Sequence, residues 1–207
     1  MNNYSTDSTE NAINKEGIET HPLKPFLPEK AKLLMLGSFP PQKKRWCMDF
    51  YYPNYINDMW RIMGYLFYND KDYFTEPSAK RFKQEEIMLF LQNKGIALFD
   101  TATAVRRLKD NASDKFLEIV EPTNLNMLLE QIPLCQAIVT TGQKATETLC
   151  ATFKTTPPPL GSYHAFSFGQ RTIRHYRMPS SSRAYPMKLE KKAEYYKIMM
   201  CDIGLIE

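Results

Sequence analysis

The chain is poor in cysteine, and its cysteines are not spaced for a metal site. No two of them lie close enough along the chain to form a zinc or iron–sulfur motif. We therefore expect no metal site and no other cofactor, and we expect reduced thiols, as is usual for cytoplasmic proteins. The four residues are Cys47, Cys135, Cys150 and Cys201.

Long apolar runs and several common motifs are also missing. No positively charged start leads into an apolar core, and no apolar run approaches the roughly 20 residues that span a bilayer. We therefore expect a soluble, cytoplasmic protein without a membrane partner, and we expect a monomer. The sequence has no P-loop, no dinucleotide-binding glycine fingerprint and no nucleophile elbow, which disfavours a small-molecule α/β hydrolase or transferase.

Enough apolar residues are present for one domain with a sizeable core. Hydrophobic residues make up 43% of the 207 residues, and aromatic residues make up 13%. The start of the chain is instead rich in Asn, Ser, Thr and Glu, so we predict a disordered tail over residues 1–24 and a single α/β domain over residues 25–207. The net charge is +4, and the acidic tail leaves the domain more basic. This bias is compatible with a polyanionic partner.

Apolar strands alternate with amphipathic helices along the predicted domain. This alternation predicts a three-layer α/β/α sandwich around a central, mostly parallel sheet of four to five strands. The predicted strands are Lys32–Leu36, Ile96–Phe99, Ala137–Thr141 and a hairpin of His164–Phe168 with Arg171–Met178. One predicted helix begins near Asn57, a second runs from Ser78 to Asn93, and a third begins at Pro122 and Thr123. Two more predicted helices cover Gln143–Phe153 and Met187–Met200.

Two loops follow the first and last predicted strands. They are Gly37–Pro41 and Pro179–Arg183. Because ligands of open α/β sheets bind outside the carboxyl ends of the strands, these loops are where we expect the functional site.

The residues around the two loops form a series of short motifs. Gly37-Ser38-Phe39-Pro40-Pro41 follows a strand, and Tyr51-Tyr52, Asn57 and Met59-Trp60 follow it in order; Pro179-Ser180-Ser181-Ser182 ends the last strand. This pattern resembles the uracil-DNA glycosylase superfamily, and it is most similar to the hypoxanthine- and mismatch-type branch. The family has a Gly-x-x-Pro-Gly-like loop, in which Pro41 replaces the second glycine, and a Pro-Ser-x-Ser motif.

The resemblance implies a DNA glycosylase that acts in base excision repair. Such an enzyme flips a deaminated or mismatched base, here uracil or hypoxanthine, out of DNA and hydrolyses its N-glycosidic bond. Its partner is DNA containing the damaged or mismatched base. The resemblance makes Asn57 the catalytic residue, whose amide orients the attacking water. An Asn at this place can also be the N-cap of the following helix, and both roles can coexist.

The resemblance also implies residues that bind the base and the DNA. One of Phe39, Tyr51 and Tyr52 can stack on the flipped base, although core packing is an equal alternative. The remaining residues expected to bind the base are Gly37, Ser38 and Asp100. Contacts with DNA are expected from Pro40, Ser180, Ser181, Ser182 and Arg183, for which an ordinary serine-rich turn is the alternative.

Two residues depart from the family pattern. Phe39 stands where many members carry a water-activating Asp or Asn, and Met178 stands where the most active uracil-specific members carry a donor His. His175 lies three residues up the same strand and points to its opposite face, so we expect a structural role for it. Because Phe39 cannot activate water, the polar catalytic role falls to Asn57. Backbone N–H groups of Gly37–Phe39 can partly replace the donor that is missing at Met178. The two departures also leave open a catalytically inactive, nucleic-acid-binding relative of the same fold.

Overall fold

Short strands and five helices alternate in the part of the chain that the structure describes. In a computed structural model, residues 17–108 and 116–207 are described. The strands are β1 (Ile18–Thr20), β2 (Leu33–Gly37), β3 (Thr75–Glu76), β4 (Arg81–Phe82), β5 (Ile96–Asp100), β6 (Ala102–Arg107), β7 (Leu117–Pro122), β8 (Ala137–Thr141), β9 (Tyr163–Phe168) and β10 (Arg171–Met178). The helices are α1 (Met59–Tyr68), α2 (Gln84–Lys94), α3 (Leu125–Gln131), α4 (Gln143–Phe153) and α5 (Leu189–Asp202).

The central sheet has five strands in the order β5-β2-β8-β10-β9. The pairs β2–β5, β2–β8 and β8–β10 are parallel, whereas the hairpin β9–β10 is antiparallel. The chain therefore has an α/β fold with a mixed sheet. The arrangement of its helices into two outer layers stays a prediction.

Continuous apolar runs explain the central strands. Every residue of β2, β5 and β8 is buried, as expected for parallel strands that are covered on both faces. Because β2, β5, β8 and β10 run in one direction, their carboxyl ends meet at one edge of the sheet. The register pairs Gly37 with Asp100 and Met178 with Thr141 at that edge.

A second sheet contradicts part of the predicted tail. Strands β1, β6 and β7 form an antiparallel sheet in which Ile18 pairs with Arg106 and Thr20 with Ala104. Phe26 then forms a bridge with Leu98 of β5, which is an outer strand of the central sheet. The prediction of disorder is therefore wrong for residues 17–24, because backbone pairing with β6 and the side-chain contacts of Glu19 and His21 hold this segment. The rest of the predicted tail, residues 1–16, lies outside the described residues.

Two predicted helix starts are also wrong. Ser78 lies in the turn of the β3–β4 hairpin, where Lys80 adopts a left-handed backbone with φ of +50°, and α2 begins only at Gln84. Pro122 ends β7, and α3 is capped by Asn124, whose side chain accepts a hydrogen bond from the Met127 N–H. Within residues 17–108 and 116–207, no helix is both long and apolar enough to span a bilayer.

Candidate active site

A cavity of about 130 Å³ opens where the parallel strands end. Its volume is close to that of an engineered protein cavity of about 150 Å³ that holds one benzene ring. It is therefore suited to a single ring rather than to a large ligand. Its walls are formed by Gly37, Ser38, Phe39, Pro40, Pro41, Tyr51, Tyr52, Pro53, Asn54, Asn57, Asp100, Arg107, Thr141, Ser180, Ser181 and Ser182.

The loop Gly37–Pro41, here called the site loop, is held by hydrogen bonds to its backbone carbonyls. The Thr101 N–H donates to the Gly37 carbonyl at 2.9 Å, and the Trp46 indole N–H donates to the Pro41 carbonyl at 2.6 Å. Arg107 Nη2 donates to the Pro40 carbonyl at 2.7 Å. These bonds fix the loop in place, so the first wall of the cavity is preorganised.

Asn57 lies on the cavity wall and also serves the start of α1. Its Oδ1 accepts a hydrogen bond from the Met59 N–H at 2.8 Å. An N–H donor requires the amide oxygen at that position, which leaves the second lone pair of Oδ1 and the Nδ2 donors for other contacts. The N-cap residue of α1 is Asp58, so Asn57 is not the N-cap; its side chain instead accepts from the first N–H of the helix and also lines the cavity.

The segment Pro179–Arg183, here called the serine loop, is joined to the start of α1. The Asp58 N–H donates to the Ser181 carbonyl at 2.9 Å. The buried Lys192 of α5 donates to Asp58 Oδ2 at 2.9 Å and to the Ser182 carbonyl at 2.8 Å. This link sets the distance between Asn57 and the serine loop.

The three serines of this loop differ in their surroundings. Ser180 Oγ accepts from the Ser182 N–H and Ser182 Oγ accepts from the Ala184 N–H, both at 3.2 Å. Their hydroxyl protons therefore remain to be donated elsewhere. Ser181 is only 3% exposed, so contact with a phosphate is left to its two neighbours.

The aromatic residues of the cavity are largely committed to packing. Tyr51 is buried and donates its hydroxyl to the Lys24 carbonyl, while the Tyr52 hydroxyl lies 3.3 Å from Thr141 Oγ1. Burial raises the pKa of both phenols above the ordinary value, so both hydroxyls stay protonated. Tyr52 has a left-handed backbone with φ of +51°, an uncommon strain that often marks functional sites.

Phe39 belongs to the cavity wall and to a small apolar cluster. It packs with Ala102, Val105 and Leu117 beneath the second sheet. The Arg107 guanidinium lies 5.7 Å from the centre of the Phe39 ring. These contacts hold the Phe39 ring in one orientation, which fixes any face that it presents to a ligand.

Asp100 contributes the buried carboxylate of the cavity. It ends β5 beside Gly37, and its Oδ2 accepts from His21 Nε2 at 2.9 Å. Its carbonyl accepts from the Thr123 hydroxyl at 2.7 Å. Within the described ranges, no group of three or more His, Cys, Asp or Glu side chains could hold a metal ion.

The cavity brings together the residues predicted from both loops, with one exception. Arg183 lies outside the wall, and its Nε donates to Asp58 Oδ1 at 3.0 Å. Half of its side chain is exposed, so a phosphate contact by Arg183 stays a prediction. Met178 and His175 also lie outside the wall: both are buried, and His175 Nε2 is 2.9 Å from Thr140 Oγ1.

Sequence reasoning did not assign four wall residues to the site, namely Pro53, Asn54, Arg107 and Thr141, nor His21, which contacts the wall residue Asp100. Thr141 ends β8, and it was predictable because ligands bind outside the carboxyl ends of the strands. Arg107 resembled a solvated surface charge, but it is paired with Glu19 and only 10% of its side chain is exposed. His21 lies in the segment that composition assigned to a tail, so no signal in the sequence pointed to it.

Solved structures that resemble this chain were found, with 31 matching chains in all. A solution NMR structure of a candidate uracil DNA glycosylase from Methanosarcina acetivorans matches with a TM-score of 0.58 and 20% sequence identity, over 87% of this chain and 96% of that one. No family model matches the chain, and no curated protein matches it. At this identity the likeness establishes a shared α/β fold.

Proposed function

We propose that this chain is a DNA glycosylase of the uracil-DNA glycosylase superfamily, in its hypoxanthine- and mismatch-type branch. It would remove uracil or hypoxanthine from DNA as a monomer in the cytoplasm. The observation that supports this most is the ring-sized cavity at the carboxyl ends of the strands, which is lined by Asn57, Asp100 and the serine loop. The fold shared with the candidate glycosylase from Methanosarcina acetivorans adds general support.

The chemistry requires a positioned water and a stabilised leaving base. Breaking an N-glycosidic bond develops positive charge on the sugar and negative charge on the departing base. Asn57 holds the attacking water through the lone pair of Oδ1 that Met59 does not use. Backbone N–H groups of the site loop stabilise the charge that grows on the base.

The walls of the cavity replace the stacking and pairing that the base loses on flipping. Unstacking and unpairing cost a few kcal/mol, and an aromatic contact returns about 1–3 kcal/mol. Phe39, Tyr51 and Tyr52 line the cavity, and one of them would make this contact. The hydroxyls of Ser180 and Ser182 are suited to donate hydrogen bonds to the DNA backbone.

A panel of labelled oligonucleotides tests the proposed function. The strands carry uracil, hypoxanthine, xanthine or a mismatched thymine, and release of the base is measured after cleavage of the abasic site. We expect release of uracil or hypoxanthine by the wild-type protein. If no base is released from any strand, the proposal of a glycosylase is wrong.

Two Asn→Ala variants separate catalysis from the stabilisation of a helix start. Asn57 and Asn124 each accept a hydrogen bond from a backbone N–H at a helix start, so either change should cost about 1 kcal/mol of stability. Only Asn57→Ala should also slow base release, by about 100-fold, because only Asn57 lies in the cavity. Equal release rates in the two folded variants would reject the role given to Asn57.

A second candidate is a nucleic-acid-binding protein without catalysis. It is favoured by Phe39 and Met178, apolar residues at two positions where the resembled family carries polar groups. Phe39 cannot hold a water as an Asp or Asn does, Met178 has no hydrogen-bond donor, and both side chains are buried. This candidate predicts DNA binding that weakens steeply with salt, without release of any base.

A further inference from the structure

A histidine from the N-terminal segment contacts two residues of the cavity wall, Asp100 and Phe39. His21 follows β1, and its Nε2 lies 2.9 Å from Asp100 Oδ2. The two side chains are 3% and 10% exposed. The His21 ring is held edge-on to Phe39, with ring centres 5.2 Å apart, and packs near Phe99 at 4.7 Å. The backbone N–H of His21 donates to the Thr103 carbonyl at 2.8 Å, which anchors the segment to β6.

The proton between the two side chains belongs to the imidazole. Imidazole is a stronger base than a carboxylate, and an ionised carboxylate only accepts hydrogen bonds. Nε2–H therefore donates to Asp100 Oδ2. His21 Nδ1 lies 3.2 Å from the Leu23 nitrogen and 2.9 Å from the Leu23 oxygen, so it has a partner whether it accepts or donates.

The other carboxylate oxygen lies against the site loop. A Cβ added at Gly37 would collide with Asp100 Oδ1, whereas Gly37 itself leaves room for that oxygen. Gly37 and Asp100 are also direct partners in the β2–β5 register. With Oδ2 taken by His21, Oδ1 is the oxygen of this buried carboxylate that lies toward the loop.

We propose that His21 is a positioning residue that holds the Asp100 carboxylate as a hydrogen-bond acceptor for the base in the cavity. A carboxylate held in this way accepts from a ring N–H, such as N3–H of uracil or N1–H of hypoxanthine, and cannot donate to a carbonyl. This inference rests on the proposed function for its ligand. The hydrogen bond between His21 and Asp100 does not depend on it.

Imidazole ¹H–¹⁵N correlation spectra at neutral pH test the hydrogen bond without any substrate. The His21 signal is assigned by its loss in His21→Leu, and the exposed His164 serves as the control ring. We expect a proton on His21 Nε2 that exchanges slowly with water, because the side chain is 3% exposed. A His21 ring protonated only on Nδ1 would overturn the inference.

Base release by four variants tests the positioning role. His21→Leu and Asp100→Asn should each lower kcat/KM on the base that the wild-type protein releases by about 10- to 100-fold, the factor for losing one hydrogen bond to a charged group. The double variant should lose little more than either single variant, because both changes remove one interaction. His21→Gln should recover most of the activity, because its amide can donate to Asp100 as Nε2 does.

The outcomes separate this inference from the proposed function. If His21→Gln and His21→Leu lose activity equally, or if the losses of the two single variants multiply in the double variant, the positioning role is wrong. Unchanged activity in Asp100→Asn would also overturn it. If the wild-type protein releases no base, the proposed function fails, and the spectra alone decide whether His21 holds Asp100.

Discussion

The buried ion pair between Lys192 and Asp58 allows a direct test of how the cavity is held together. Lys192 is fully buried, and its ammonium donates to Asp58 Oδ2 and to the Ser182 carbonyl. Lys192→Met keeps a long apolar side chain and removes the charge and both hydrogen bonds. Asp58 would keep Arg183 Nε at 3.0 Å. The loss should therefore lie near 3 kcal/mol, the lower end of the roughly 3–5 kcal/mol for breaking a buried pair from one side.

A loss of this size is readily measured. It is a large part of the 5–15 kcal/mol by which typical domains are stable, and it corresponds to a Tm lower by roughly 6–12 °C for a chain of this length. Urea unfolding and calorimetry give the two values. Base release should also slow, because the pair joins the residue after Asn57 to the serine loop.

Two further variants make the test specific. Lys191→Met changes the preceding residue of α5, whose side chain is 59% exposed, and should leave stability unchanged. Asp58→Asn combined with Lys192→Met should be more stable than Lys192→Met alone, because no buried charge is then left without its main partner. A Lys192→Met protein as stable as the wild type would refute the reasoning.

Three other outcomes follow from single contacts. Burial lowers the pKa of His175 from 6.5 to about 4. The free energy of unfolding that is present above pH 6.5 should therefore fall by about 3 kcal/mol as the pH is lowered from 6.5 to 4. In His175→Gln the unfolding midpoint should depend less on pH over this range, and an equal dependence in both proteins would contradict this. Gly37→Ala should slow base release by displacing the Asp100 carboxylate, and normal kinetics would refute that clash. Arg107→Met should cost about 3 kcal/mol in urea unfolding by leaving a buried carboxylate unpaired, whereas the exposed Arg106→Met should not; equal effects would contradict the difference in burial.

The central strands and both loops were predictable because side-chain chemistry determines them. Ala137–Thr141, Gln143–Phe153 and Arg171–Met178 have the predicted bounds, since an apolar run, the turn at Gly142 and the hairpin turn at Gly169-Gln170 mark them. Because ligands of parallel sheets bind at the carboxyl ends of the strands, most residues of the cavity wall could then be predicted. Prediction from the sequence failed in segments whose order comes from backbone pairing with another strand.

Backbone pairing explains the elements that were missed. Ile18–Thr20 is short and polar, and it is ordered because β6 offers hydrogen bonds to it. The hairpin of Thr75–Glu76 with Arg81–Phe82 displaced the predicted start of α2 in the same way. Such pairing depends on which strand edge lies nearby in space, and a single sequence does not encode that as a local pattern.

The segment from Ile18 to Phe26 has a practical meaning for anyone who expresses this protein. Composition alone suggests that residues 1–24, the polar stretch, can be removed from the expressed chain. A chain shortened in this way would lose β1, the imidazole beside Asp100 and the carboxylate that pairs with Arg107. Slow base release by such a shortened chain would then reflect the lost contacts of Asp100 and Arg107 and would not show that the whole chain is inactive.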